Sequence, residues 1–185
     1  MLNAIIWLTV ITLIPALELR ASIPCGILPV PIPFTGITVN EHLSWPVVVL
    51  VCTAVNILLG WVVFGVLGPV FTFVRKWEWF DRGIWPKLER TRHRIHPYIE
   101  KYGELGVALF IGIPLPGSGV YTGAFGAYLL GVGKKKFAVA NVIGVLLAAA
   151  AVTAVCLLVL YGTVGEESWL AKWFLSRTEE IESAM

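Results

Sequence analysis

Charge is what this chain has least of: 14% of its 185 residues are Asp, Glu, Lys or Arg, against about 25% in soluble domains. With 57% hydrophobic residues and a mean hydropathy of +0.81, a soluble monomer is excluded. Cysteine is scarce too. Cys25, Cys52 and Cys156 are odd in number, far apart and set in apolar sequence. They support neither a disulfide framework nor a Cys-x-x-Cys metal site and are expected to be small buried hydrophobes. No Lys or Arg precedes Arg20, so the N-terminus lacks the positive region of a cleaved signal peptide, and residue 1 is expected to begin the mature protein.

The charges that are present are crowded together. Before residue 75 only Glu18, Arg20 and Glu41 are charged, whereas Arg75 to Glu104 holds eight Lys/Arg against five Asp/Glu. Lys134, Lys135 and Lys136 add three positives, and the tail after Gly165 is acidic. Between these clusters lie four apolar blocks: Met1 to Leu17, Pro46 to Val74, Leu105 to Gly133 and Phe137 to Gly165. At ~1.5 Å per helical residue, the longer blocks reach about 40 Å, enough to cross a ~30 Å hydrocarbon core. Basic residues beside apolar spans read as a topology signal, which argues against nucleic acid as a partner.

Proline and glycine change the count of spans. Ile23 to Pro33 contains four prolines, Pro24 among them, and Pro114-Leu115-Pro116-Gly117-Ser118-Gly119 interrupts the third block. Each proline removes a backbone donor and blocks regular helix. The arms left on either side of residues 114–119 cover about half to two-thirds of the core, the depth of a re-entrant hairpin. A hairpin also keeps the 75–104 loop and Lys134 to Lys136 on one side, as the positive-inside rule favours.

The expected fold is therefore an all-α integral membrane protein, with two re-entrant hairpins plus transmembrane helices in an inverted-topology repeat. Residues 1–165 form one membrane domain. It comprises a first hairpin at 1–44 with its broken tip around Glu18 to Pro33, and a span at 45–74. A basic amphipathic segment follows at 75–104, then a second hairpin at 105–133 and a span at 137–165; 166–185 is an acidic tail. Trp77, Trp79, Phe80 and Trp85 among the basic residues of 75–104 suit a helix at the headgroup boundary. The basic loop is expected to face the cytoplasm and the tail the outside. The second half inverts the first, an arrangement that places transporter sites near broken helices at the midplane.

Glu18 and Arg20 fall below the outer surface in this scheme. An ionisable residue at that depth costs ~2.5 to 3.5 kcal/mol and marks a functional site by default. The alternative is a mutual ion pair closing the tip, which spacing i to i+2 on a helix opposes. In the second hairpin, Ser118, Tyr121 and Thr122 offer hydroxyls. Gly117, Gly119 and Gly123 allow close backbone approach, with φ > 0 expected at Gly117 or Gly119. Gly119-x-x-x-Gly123 is equally a helix-packing motif. Asn56 and Asn141 each sit in one of the two spans and join the expected substrate- or proton-binding residues. The expected hairpin breaks are Pro24, Pro114, Pro116, Gly117, Gly119 and Gly123. His42, His93 and His96 lie in polar segments, so Ser118 lacks a base and no enzyme is expected. Neither a metal nor a cofactor is expected.

Two stretches carry a resemblance. Glu18-Leu19-Arg20-Ala21-Ser22-Ile23-Pro24 resembles the motif ELRGxIP, and Ile113-Pro114-Leu115-Pro116-Gly117-Ser118-Gly119-Val120-Tyr121-Thr122-Gly123-Ala124 resembles IPLPGTGAWTGA. Both motifs belong to the small multi-drug export protein family, a branch of the DedA/VTT membrane superfamily. The similarity covers roughly residues 5 to 161. It implies two facing re-entrant hairpins and the movement of polyprenyl phosphates or phospholipids between leaflets. Ala21 stands where Gly is usual and Val120-Tyr121 where Ala-Trp is usual. DedA proteins proper carry arginines around the second-hairpin proline; residues 105–133 here hold no charge.

The function expected from these readings is translocation of an amphiphilic lipid, a flippase or scramblase activity, in a prokaryotic plasma membrane. The headgroup would engage Arg20 and the Ser118 helix end, and Glu18 would exchange protons as the coupling ion. The alternatives are an exporter of small amphipathic drugs or cations, with Glu18 as the binding anion, and a non-transporting lipid-binding scaffold. Membrane lipids are the expected partners, with a homo-oligomer, a dimer, as the expected assembly.

Overall fold

A computed structural model describes residues 2–15, 17–29, 38, 43–74, 76, 103–113 and 118–161. Six helices form among them: α1 (Leu2–Leu13), α2 (Glu18–Ile27), α3 (Trp45–Val74), α4 (Gly103–Gly112), α5 (Val120–Leu130) and α6 (Lys134–Leu160). The order short, short, long occurs twice. Only α3, with 30 residues, and α6, with 27, are long and apolar enough to cross a membrane. Their outward side chains, among them Leu50, Leu58, Val62 and Val66 on α3 and Val139, Ile143 and Leu146 on α6, are exposed apolar groups. Such a surface is stable against lipid and not against water.

The chain divides into two compact units, residues 1–56 with 148–185 and residues 57–147. Each holds two short helices and a portion of each long one. In unit 1, α1 and α2 pack antiparallel. The Thr12 and Ser22 hydroxyls hydrogen-bond at 2.8 Å, and one turn along each helix Gly26 lies against Leu8. Gly26 also meets Val48 of α3, and Cys52 hydrogen-bonds with Ser22 and Thr12, so α2 runs antiparallel to α3 as well. Cys156 of α6 lies within electrostatic range of Cys25. All three cysteines are free and buried.

In unit 2, α3 and α6 run antiparallel. Phe64 stacks on Phe137 with ring centroids 4.2 Å apart, and the Asn141 amide reaches the Ile57 carbonyl. α4 and α6 are parallel: Gly144 touches the Ala108 carbonyl and Ile111, while Gly112 touches Leu147. α5 packs on α3 through Tyr128, whose ring meets Phe64 and Phe71. α5 ends at Gly131, whose left-handed φ of 79° lets the Gly131 and Val132 amides close on the Tyr128 and Ala127 carbonyls. α6 starts at once, its first bond running from the Phe137 amide to the Gly133 carbonyl. The three lysines therefore form its first turn and do not precede it.

Several expected breaks fall elsewhere. Pro24, expected in a hairpin tip, stands inside α2, which ends one turn later at Ile27. The break lies between α1 and α2, because Pro15 disfavours helix at the residue before it and α1 stops at Leu13. Gly123, also expected at a break, is inside α5 with Ile111 against it. Gly119 does precede α5, but its φ of 173° is extended and not left-handed. Among the described residues the left-handed positions are Glu18 and Gly131. Pro114, Pro116, Gly117, the prolines at 31 and 33, the acidic tail and the basic segment apart from Lys76, Gly103 and Glu104 lie outside the described residues.

Candidate functional site

The deepest charge described is Glu18, 6% exposed among apolar neighbours such as Leu19 and Ile23. It is the first residue of α2, and it is there because the turn after α1 closes on it: the Glu18 amide donates to the Ile14 carbonyl at 3.2 Å. Its φ of 46° lies in the left-handed region, which costs a residue with a Cβ roughly 1–2 kcal/mol. A strained backbone holding a buried carboxylate at a helix junction is the kind of outlier that functional sites retain. Arg20, half-buried, sits two positions on along α2.

Around α2, unit 1 is unusually polar. Thr12, Ser22 and Cys52 form a buried hydroxyl and thiol cluster. Beyond it on α3 stand Thr53 and Asn56, three residues apart and thus on one helix face. Asn56 is fully buried with both amide atoms unpartnered, and the Thr53 hydroxyl is buried and unpartnered too. A buried polar group without a partner costs about 1–3 kcal/mol. Sequence reading missed Thr12, Ser22, Cys52 and Thr53. The signal was available for Thr53, three positions before an asparagine in an uncharged span.

Unit 2 holds the other expected residues. The buried Ser118 hydroxyl donates to the Ile113 carbonyl at 2.7 Å, tying the end of α4 to the start of α5. Thr122 is exposed and bonds back to the Gly119 carbonyl at 3.3 Å, and Tyr121 is half-buried on α5. Asn141 is buried, bonded to Ile57 through Nδ2 with Oδ1 unpartnered. Thus Glu18, Arg20 and Asn56 belong to unit 1, and Ser118, Tyr121, Thr122 and Asn141 to unit 2. Between α4 and α5 opens an apolar cavity of about 370 Å³, lined by Gly103, Gly106, Phe110, Thr122, Gly126 and Leu130 among others. That size falls within the range of small-molecule pockets. Among the described residues no cluster of His, Cys, Asp and Glu could hold a metal ion.

A family model described as "Putative small multi-drug export protein" matches residues 18–151, a stretch that begins at Glu18 and includes both motifs. No curated protein and no solved structure shows a match.

Proposed function

The chain belongs to the small multi-drug export protein family, and from that membership we propose that it exports small amphipathic cations, Glu18 binding the positive charge. The burial of Glu18 carries this reading. An ionisable residue at membrane depth marks a functional site by default, and the apolar body of a lipophilic cation tolerates the surroundings of the carboxylate. The apolar cavity between α4 and α5 supports an amphipathic substrate over a fully polar one. Release follows when a proton replaces the substrate on Glu18, which makes export proton-linked.

The architecture of this reading is two re-entrant hairpins entering a prokaryotic plasma membrane from opposite faces. Support comes from the repeated order short, short, long and from the shared packing rule in which the first short helix runs parallel to the long one after it. This holds for α1 with α3, through Thr12 and Cys52, and for α4 with α6. Antiparallel α3 and α6 within unit 2 support reading the repeat as inverted.

A second reading, movement of a polyprenyl phosphate or phospholipid between leaflets as in the DedA/VTT superfamily, draws on Arg20 beside Glu18. The two differ in ligand charge. Purified protein in proteoliposomes, assayed for ethidium flux and for flipping of a fluorescent phosphatidylglycerol, separates them. The cation reading expects ethidium flux above protein-free vesicles that survives Arg20→Ala. Lipid flipping lost in Arg20→Ala, with no ethidium flux, replaces it with the lipid reading.

A further inference from the structure

Glycine weakens a helix interior, and several glycines of unit 2 are explained by a neighbour that fills the place of their missing side chain. An added Cβ would strike Asn141 at Gly60, Leu147 at Gly112, Ile111 at Gly123 and the Ala108 carbonyl at Gly144. At Gly106 of α4 and Gly126 of α5 it would meet nothing within 4 Å. Both line the cavity of about 370 Å³ between these two helices. Gly65 and Gly68 of α3 are open as well, but they are not among the residues that line it.

The cavity has the form of a trough. Gly123 packs on Phe110 and Ile111, and the Ser118 hydroxyl reaches the Ile113 carbonyl, so α4 and α5 are antiparallel. Phe110 and Thr122 therefore mark one end, and Gly103, Leu130 and Val132 the other. From Gly103 to Phe110 the trough is about 10 Å long at ~1.5 Å per residue. By comparison with the ~150 Å³ cavity that accepts benzene, its volume has room for roughly ten to fifteen carbon atoms. Gly106, Phe110, Thr122 and Leu130 are exposed, so the trough is open along its side. Leu105, Leu109 and Phe125, exposed on the same two helices, give the surrounding surface an apolar character that lipid stabilises and water does not.

Chemistry selects the occupant. Among the described residues that line the trough, Thr122 alone has a polar side chain, and its hydroxyl is turned to the Gly119 carbonyl at 3.3 Å. The interior thus suits hydrocarbon and penalises a charge or a polar headgroup. At the Gly103 end the balance is positive. Val132 is followed, after Gly133, by Lys134, Lys135 and Lys136 in the first turn of α6, a turn without an acid. Because α4 and α6 are parallel, that turn and Gly103 lie at the same end of unit 2. Lys134 and Lys135 are exposed, whereas Lys136 is half-buried with an interaction of its own. Among the described residues of unit 2 the one acid is Glu104, exposed beside Gly103. Lysines at the end of an apolar helix attract an anionic headgroup and repel a cationic one.

We propose that the trough between α4 and α5 holds one acyl chain of an anionic phospholipid, with its phosphate at Lys134 and Lys135. The lipid is a resident ligand of unit 2 and not the exported species, so the inference stands apart from the export reading, which turns on Glu18 in unit 1. An amphipathic substrate that enters the same trough must displace the chain.

The test is thermal unfolding of purified full-length protein in detergent with dioleoyl phosphatidylglycerol, with dioleoyl phosphatidylcholine or with neither. The site predicts a Tm raised by phosphatidylglycerol, by about 3 to 6 °C at tenfold excess over Kd, and at least several-fold more phosphatidylcholine for the same shift. Gly106→Leu and Gly126→Leu fill the trough with hydrocarbon of their own, so they keep or raise the lipid-free Tm and lose the shift. Gly65→Leu, at an open glycine outside the trough, keeps it. Lys134→Gln combined with Lys135→Gln brings the response to phosphatidylglycerol down to that of phosphatidylcholine. Equal shifts from the two lipids in the native protein overturn the proposal, as does a native-sized shift in both Gly106→Leu and Gly126→Leu or a native preference for phosphatidylglycerol in the double lysine variant. Native mass spectrometry of the same samples should find one lipid bound per chain. A lipid-free dimer that Gly126→Leu dissociates would instead assign the trough to a second copy and overturn the lipid. None of these readouts depends on ethidium flux, so failure here leaves the role of Glu18 standing.

Discussion

Asn141 Nδ2 donates to the Ile57 carbonyl at 3.0 Å, across the space left by a missing side chain at Gly60. A Cβ at residue 60 would fall on the Asn141 amide. Glycine there is thus a condition for seating a polar side chain between α3 and α6 inside unit 2, as small residues commonly are at membrane helix contacts.

Gly60→Ala is expected to cost about 1–3 kcal/mol through overpacking, seen as a drop in Tm of about 2–4 °C per kcal/mol. Asn141→Ala should make room for that methyl group, so the double variant should be more stable than Gly60→Ala alone. A double variant that simply adds the two losses would mean that the amide and the glycine act independently.

Glu18→Gly should stabilise the protein while abolishing export. Glycine adopts φ near 46° without the penalty a Cβ incurs, and the buried charge disappears with the side chain. The expected gain is about 1–2 kcal/mol, measured as a higher Tm, with ethidium flux at the level of empty vesicles. A lower Tm would show that the carboxylate holds the junction of α1 and α2 together.

The glycines of the second hairpin should sort by what surrounds them and not by their place in the motif. Gly119→Ala should introduce no backbone strain, since its backbone is extended. Gly123→Ala should be worse, because the new Cβ meets Ile111 Cγ1 at 2.5 Å. Gly144→Ala, outside both motifs, should be the worst of the three, because its Cβ would meet the Ala108 backbone carbonyl at 2.7 Å, which cannot rotate away.

The long helices are legible from charge spacing alone, because a membrane segment cannot carry unpaired charge without cost. The position of the first break is not. Four prolines after residue 23 outweigh Pro15 in any local reading, yet Pro24 is accommodated within α2 and Pro15 ends α1. Residues that meet only through packing leave no local trace. Asn141 and Ile57 are 84 positions apart, and the pairing of Thr12 with Ser22 depends on where the chain turns. Asn56 could be selected as a polar residue in a span, but that its amide is buried without a hydrogen-bond partner emerges only from the packing around it.

The most direct test of the central claim, that a buried carboxylate on a broken membrane helix binds the exported cation, is ethidium flux in proteoliposomes. It compares native protein with Glu18→Gln at matched reconstitution and matched Tm. The account predicts a loss of at least tenfold in flux for Glu18→Gln, which keeps the side-chain shape and removes only the charge. Native flux in that variant would contradict it and take Glu18 out of the transport mechanism.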